Sequence, residues 1–330
     1  MSDNLVSIII PIFNVEEFVA ISVRSVIDQT YPNIEIILID DGSVDNSGKL
    51  ADNLSQEFPH ITVIHTSNLG LSSARNLGIK TAIGDFLFFL DSDDWVEPTL
   101  IQDAINYLTQ KDLGFVSFTN DFVNDKGIPI SKKNNDSEYY QNQVFTSRRA
   151  LELLFQEKIR ISAWSYIVRR DILVDNNIYF PVGKKYEDNC TTPMIIQKAE
   201  RVGLLTTKSR AYYHYRMRQK SITHQFDHSN IDDMLYMIRF NLENFSRFPA
   251  LNYYIFSKSL AAFFVSSKIN YYRVEEIDMQ IKRHFSVRFI FINSKIFLKF
   301  GYWSAKRLFL CFKRILEKFR KSGVNENEKN

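Results

Sequence analysis

Four short apolar runs, each followed by a stretch of helical character, set the strongest limit on how this chain can fold. The runs are residues 6–12, 34–39, 61–65 and 86–90, rich in Ile, Val, Leu and Phe. Their length and their β-branched or aromatic content predict strands, and the unbroken apolar run 86–90 predicts one buried on both faces. After the first, Asn14-Val15-Glu16-Glu17 opens a helix with Phe18, Val19, Val23, Val26 and Ile27 at helical spacing. After the second, Asp45 or Ser47 is placed to cap a helix running through Leu50 and Leu54. After the third, Asn68-Leu69-Gly70 turns into a helix carrying Ser72, Ser73, Ala74, Arg75 and Asn76 in its first turns. Strand and helix alternating over short links predict a parallel sheet with right-handed crossovers.

Ligands of open parallel sheets bind outside the carboxyl ends of the strands. Here those ends read Phe13-Asn14, Asp40-Asp41-Gly42-Ser43 and Asp91-Ser92-Asp93-Asp94. Carboxylates as close as Asp91, Asp93 and Asp94 repel one another unless a cation lies among them. A hard divalent metal holding a diphosphate would supply it. The plainer reading is a polar turn before a helix begun by Glu97-Pro98. No G-x-G-x-x-G and no G-x-x-x-x-G-K-[ST] follows a strand, which argues against dinucleotide and P-loop sites.

Four ordered segments carry a resemblance: 6–14 (VSIIIPIFN), 39–45 (IDDGSVD), 68–76 (NLGLSSARN) and 91–94 (DSDD). In order and spacing they resemble the family-2 glycosyltransferases with the GT-A fold, strongly over residues 5–100 and more thinly to about 225. The resemblance implies an α/β fold with a mixed, mostly parallel sheet flanked by helices. It implies a nucleotide-sugar half over 1–110 and an acceptor and catalytic-base half over 111–225. Pro11, Phe13 and Glu16 would line the nucleoside pocket. Asp41 would read the uracil edge with Asp40 in support, and Arg75 would lie near the base and phosphates. Asp91 would face the ribose or the sugar, and Asp93 would ligate Mn²⁺ or Mg²⁺. Each residue also has a plainer reading: Phe13 as core, Asp41 as the start of a turn, Arg75 as a solvated helix face.

Further along, 100–108 reads as an amphipathic helix, 115–122 as a strand, 131–143 as a polar surface loop and 147–156 as a helix. Residues 163–168 are apolar and would return to the sheet, 170–176 form another helix, and 202–205 and 211–215 are short strands. Thr192-Pro193 looks like the cap and first position of a helix, leaving Glu187 and Asp188 just before it. The resemblance makes Asp188 the catalytic base. Adjacent carboxylates tend to raise one another's pKa, which suits proton uptake near neutral pH. Arg216, Arg218 and Lys220, beside His214, lie in a segment resembling one that follows the base in relatives, where cations would stabilise a leaving diphosphate. The Q-x-x-R-W signature of processive synthases is absent.

Net charge is only +3, which leaves no general signature of nucleic-acid binding. The two cysteines, Cys190 and Cys311, have no zinc spacing and fit a reducing cytosol. The first residues lack the basic start and apolar run of a signal peptide. Residues 226–330 read as a helical C-terminal region. Within it, 306–321 has Leu308, Phe312, Ile315, Leu316 and Phe319 on one helical face and Arg307, Arg314, Lys318 and Lys321 on the other. That pattern suits an anionic membrane surface or packing on the protein body. The expectation is a cytoplasmic enzyme, peripheral at the inner face of the membrane, moving sugar from a UDP-linked donor to a glycan or lipid-linked acceptor. The alternatives are a nucleotidyltransferase and a catalytically inactive sugar-binding module.

Overall fold

A computed structural model describes residues 4–130, 142–206, 211–218 and 228–268. The first half alternates as the sequence predicts: β1 Val6–Ile12, α1 Val19–Ile27, β2 Ile34–Asp40, α2 Ser47–Glu57, β3 Ile61–His65, α3 Leu71–Thr81 and β4 Phe86–Phe89. Then come β5 Trp95–Val96, α4 Leu100–Lys111, β6 Phe115–Phe118, β7 Asn120–Val123, β8 Val144–Thr146, α5 Ser147–Phe155, β9 Tyr166–Arg169 and α6 Arg170–Val174. The remaining elements are α7 Asp188–Lys198, β10 Arg201–Leu205, β11 Tyr213–Arg216, α8 His228–Phe245 and α9 Ala250–Lys268.

Among the described residues, eight strands form a mixed sheet in the order β3-β2-β1-β4-β9-β6-β10-β8. β1, β2, β3 and β4 run parallel, β9 is antiparallel to both neighbours, and β10 pairs β6 parallel and β8 antiparallel. Every residue of β1 and β4 is buried, as strands covered on both faces require. The order reverses between β1 and β4, so the crevice beyond their carboxyl ends is the site that topology favours for a ligand. Pro11 lies within β1, where a missing N–H would normally break a ladder. The β4 ladder ends at the Ile9–Phe89 pair, so Pro11 sits beyond it. A smaller sheet, β5-β11-β7, carries the 213–216 segment.

Three local expectations are corrected. Residues 115–122 are two strands in two sheets, not one. The chain changes partners at Thr119, whose carbonyl accepts from Tyr212 N and Tyr213 N, at 3.0 and 3.2 Å. Neither Asp45 nor Ser47 caps α2 from the cap position, which Asn46 occupies. Asp45 accepts from Ser47 N and from Glu16 N, and Ser47 Oγ accepts from Val15 N, so both tie the turn to the segment after β1. Helix α7 begins at Asp188, not at Thr192, and Pro193 lies inside it. Proline deprives the carbonyl four residues back of its helical donor. That carbonyl, on Asn189, accepts instead from Asn241 Nδ2 at 3.0 Å.

The described parts of 1–225 and 239–254 form one compact unit, and those of 226–238 and 255–268 a second. Lys220, most of the 131–143 loop and the 306–321 amphipathic segment lie outside the described residues. Among the described residues no helix is long and apolar enough to cross a membrane.

Candidate active site

The turn after β1 leaves Phe13 42% exposed, which overturns its reading as core, while Pro11 stays buried in the strand. Glu16 accepts from Asn46 N and Nδ2, at 2.9 and 2.7 Å, and so joins this turn to the start of α2. At the end of β2, Asp40 accepts from Ser43 N and pairs with His65 at 2.8 Å. Asp41 accepts from Thr66 Oγ1 and from the backbone N–H groups of Leu69 and Gly70, at 2.6 to 2.7 Å. Both acids are buried and tie the loop after β2 to the end of β3 and the loop that follows it. Gly42 allows this: its φ is +75°, and a Cβ there would lie 2.8 Å from Asn68 N.

Arg75 is only 3% exposed, which removes its reading as a solvated face. Helix α3 can seat it so deeply because Gly78, one turn on, lies against β1; a Cβ there would fall 2.3 Å from Ile9 Cγ2. Its Nη2 donates to Asp91 Oδ1 at 2.9 Å and its Nη1 to Glu187 Oε1 at 2.6 Å. One guanidinium thus spans the acids after β4 and the acids that open α7. Those charges outweigh the burial that opposes its protonation, and they hold its pKa above the ordinary value. Burial of a charge this deep requires such partners.

The three acids after β4 separate in role. Asp91 and Asp93 keep part of their surface open, at 26% and 18% of the side chain. Asp94, expected at the rim, is 1% exposed. Its carboxylate accepts from Tyr213 OH at 2.6 Å and Arg216 N at 2.7 Å, so it fastens β11 to the turn. Asp93 pairs with Arg218. Burial, then the nearby Asp91 charge, pushes the Asp93 pKa up, with Arg218 opposing. Arg216 is almost fully buried. It donates to the carbonyls of Asp93 and Asp125 and lies over the rings of Phe18 and Trp95, so it braces the loop. His214 is held on both nitrogens, by Asp121 at 2.7 Å and Glu97 at 3.0 Å, and stacks on Trp95. Burial disfavours its charge, yet the two carboxylates prevail and raise its pKa.

Tyr186, at φ +61°, presents the second acidic pair. This left-handed backbone is rare for a bulky residue and turns Glu187 and Asp188 into the first turn of α7. Glu187 is taken by Arg75, whereas Asp188 accepts from Asn189 Nδ2 at 2.6 Å and keeps part of its surface open. Lost hydration and then the Glu187 charge push the Asp188 pKa to about 7, against the pull of Arg75. Sequence reasoning missed Glu187 as the partner of Arg75, 112 positions away, and missed Asn189. No local pattern signals either.

Among the described residues, no three His, Cys, Asp or Glu side chains are grouped to hold a metal. The donor set of Asp91 and Asp93, both part-exposed oxygen ligands, nevertheless fits a hard divalent ion. Such ions commonly take one or two carboxylates and draw the rest of their shell from phosphates and water.

A family model described as glycosyl transferase family 2 matches residues 7–174. EpsJ of Bacillus subtilis (strain 168), an uncharacterized glycosyltransferase, is 34% identical over 66% of this chain and 63% of its own length. The glycosyltransferase GlyA of Streptococcus pneumoniae is 30% identical over 70% of this chain and 34% of its own. The chain therefore spans only part of these relatives. S. aureus TarS 1–349 in complex with UDP-GlcNAc superposes with a TM-score of 0.66 at 20% identity, covering 85% of this chain and 79% of that one. The mannosyltransferase PcManGT from Pyrobaculum calidifontis in complex with GDP-Man and Mn²⁺ gives a TM-score of 0.56 at 13% identity, over 94% and 79%. These likenesses identify the fold as GT-A.

Proposed function

The chain belongs to glycosyl transferase family 2, and from that premise we propose that it moves a sugar, with inversion, from a UDP-linked donor to a glycan or lipid-linked acceptor. The observation that carries the reading is Arg75, whose single buried guanidinium joins Asp91 on the donor side to Glu187 beside Asp188. Asp188 is the base. It takes the proton of an acceptor hydroxyl, whose oxygen forms a bond to the anomeric carbon as the bond to the diphosphate oxygen breaks. Arg218, with Arg216 behind it, stabilises the departing negative charge. Pro11, Phe13, Glu16, Asp40 and Asp41 shape the nucleoside side, and Asp91 faces the sugar. Asp93, assisted by Asp91, would hold Mn²⁺ or Mg²⁺, which neutralises diphosphate charge when bound. The TarS complex with UDP-GlcNAc supports a UDP-linked donor. The sequence pattern of 306–321, which would give opposed apolar and basic faces on a helix, supports placement at an anionic membrane, where a lipid-linked acceptor would lie.

The Asp188 pKa of about 7 gives the pH dependence its sign. The base form gains population as pH passes about 7, so transfer rises there. Stability moves the other way. The folded group holds its proton above the unfolded value near 3.8, so its contribution is present at low pH and lost as pH rises through about 7. The test is nucleotide release by the full chain from UDP-GlcNAc, UDP-glucose, UDP-galactose and GDP-mannose, with Mn²⁺ or a chelator. Asp188→Asn should bind donor normally and turn over at least ~100-fold more slowly, the usual size of a lost general base. Turnover near normal in that variant would remove Asp188 as the base.

A further inference from the structure

Asn189 stands between Asp188 and two residues of the 239–254 stretch, Asn241 and Tyr254, and its side-chain amide and its backbone carbonyl are both engaged. Its carbonyl, left without a helical donor by Pro193, accepts from Asn241 Nδ2 of α8 at 3.0 Å. Its Oδ1 accepts from Tyr254 OH of α9 at 2.5 Å. Its Nδ2 donates to Asp188 Oδ1 at 2.6 Å. Asn189 is buried, and Tyr254 is 1% exposed.

The order of these bonds follows from chemistry. An ionised carboxylate only accepts, so the NH₂ end of the amide must face Asp188. That leaves the carbonyl end for a donor, and Tyr254 supplies a phenol O–H kept protonated by burial. A hydrogen bond to the charged form favours the charged form. We infer that Tyr254, acting through Asn189, is a positioning residue for Asp188: it fixes the amide so that its NH₂ supports the carboxylate as a base. Asn241 and Tyr254, both within the first compact unit, thereby bear on the base through Asn189. The inference rests on Asp188 as the base. The other groups that bear on Asp188 are Glu187 and Cys190 of its own helix, Arg75 of α3 and Tyr166 of β9. Tyr254→Phe leaves all of them in place.

The test is a ¹³C NMR titration of the full chain labelled at the aspartate carboxyls, with Asp188→Asn assigning the resonance. Tyr254→Phe, which removes one oxygen and keeps the ring, should raise the Asp188 midpoint by roughly one unit. Transfer should then fall about fivefold at pH 7 and recover by about pH 9, with donor KM unchanged. Asn189→Leu should give the same shift, and adding Tyr254→Phe to it should shift the midpoint no further, because both act through one path. A midpoint unmoved in either folded variant, or a loss of transfer equal at every pH, would overturn the inference. Undiminished transfer by Asp188→Asn would instead overturn the base reading, and it would leave the carboxyl titration to judge the hydrogen-bond chain by itself.

Discussion

The turn after β4 and the start of α7 each present adjacent acids, Arg218 answering Asp93 at the turn and Arg75 answering Glu187 at the helix while also reaching Asp91, yet the two pairs are built in opposite ways. At the turn, Asp93 and Arg218 are both partly open, at 18% and 22% of their side chains. At the helix, Arg75 is 3% open and Glu187 11%. The first pair can exchange partners, as the proposed diphosphate and metal binding would require, because water can cover whatever is released. The second cannot, since either charge alone would be stranded away from water. Asp188 has no arginine hydrogen-bonded to it among the described residues and keeps a pKa of about 7, which suits the base role proposed for it. Accessibility of the counter-charge, rather than the number of acids, is what distinguishes the two sites.

The comparison is broken most severely at Arg75. Arg75→Met removes the counter-charge of Glu187 and Asp91 at once and keeps much of the side-chain volume. Breaking a buried pair this way costs about 3–5 kcal/mol. Urea unfolding of the full chain should show a loss of that size with the slope unchanged. A loss below about 1 kcal/mol would mean that Arg75 is no strut and that the two acidic sites are not coupled through it.

Much of this was legible in the sequence, for physical reasons. Strands β1 to β4 announce themselves because burial on both faces leaves only apolar residues. The polar ends of those strands were legible because a ligand site in such a sheet has one favoured rim. Asp94 was misread because nothing in D-S-D-D separates an acid facing water from one that accepts from Tyr213 and Arg216 N. The break at Thr119 was hidden because no glycine or proline marks it between Phe115 and Val123, and only the pairing partner changes. The start of α7 was misplaced because Pro193 resembles a first-turn proline. Its real tolerance depends on Asn241, 48 positions on, and partners at that range leave no local trace. The pairing of Glu187 with Arg75 and of Asn189 with Tyr254 was invisible for the same reason.

An intermediate effect is expected at Asp93. Asp93→Ala removes a rim carboxylate and no core contact, so the fold should persist. Wild-type protein with UDP and Mn²⁺ at ~100 times the dissociation constant should gain ~2.7 kcal/mol. The variant should lose the manganese-dependent part of that gain, measured as thermal stabilisation with and without a chelator. An equal gain in both proteins would take Asp93 out of the metal's shell and leave Asp91 as the acid to test.

The smallest effect on stability should come from Arg218→Met, the counterpart of Arg75→Met on the open side. A part-exposed pair contributes ~0–1 kcal/mol, because solvent screens the attraction and two long side chains are held in one geometry. Urea unfolding of this variant should therefore lie within about 1 kcal/mol of wild type. Its consequence appears in ligand binding instead. Arg218 lowers the Asp93 pKa against burial and the Asp91 charge, so without it Asp93 should retain its proton to higher pH. Binding of UDP with Mn²⁺ should then weaken most at the acidic end of the range and approach wild type as pH rises. Calorimetric titration of both proteins at pH 5.5 and pH 8 separates that pattern from a plain loss of phosphate attraction, which would weaken binding equally at both. A stability loss as large as that of Arg75→Met would erase the distinction between an exchangeable and a fixed counter-charge on which the two sites differ.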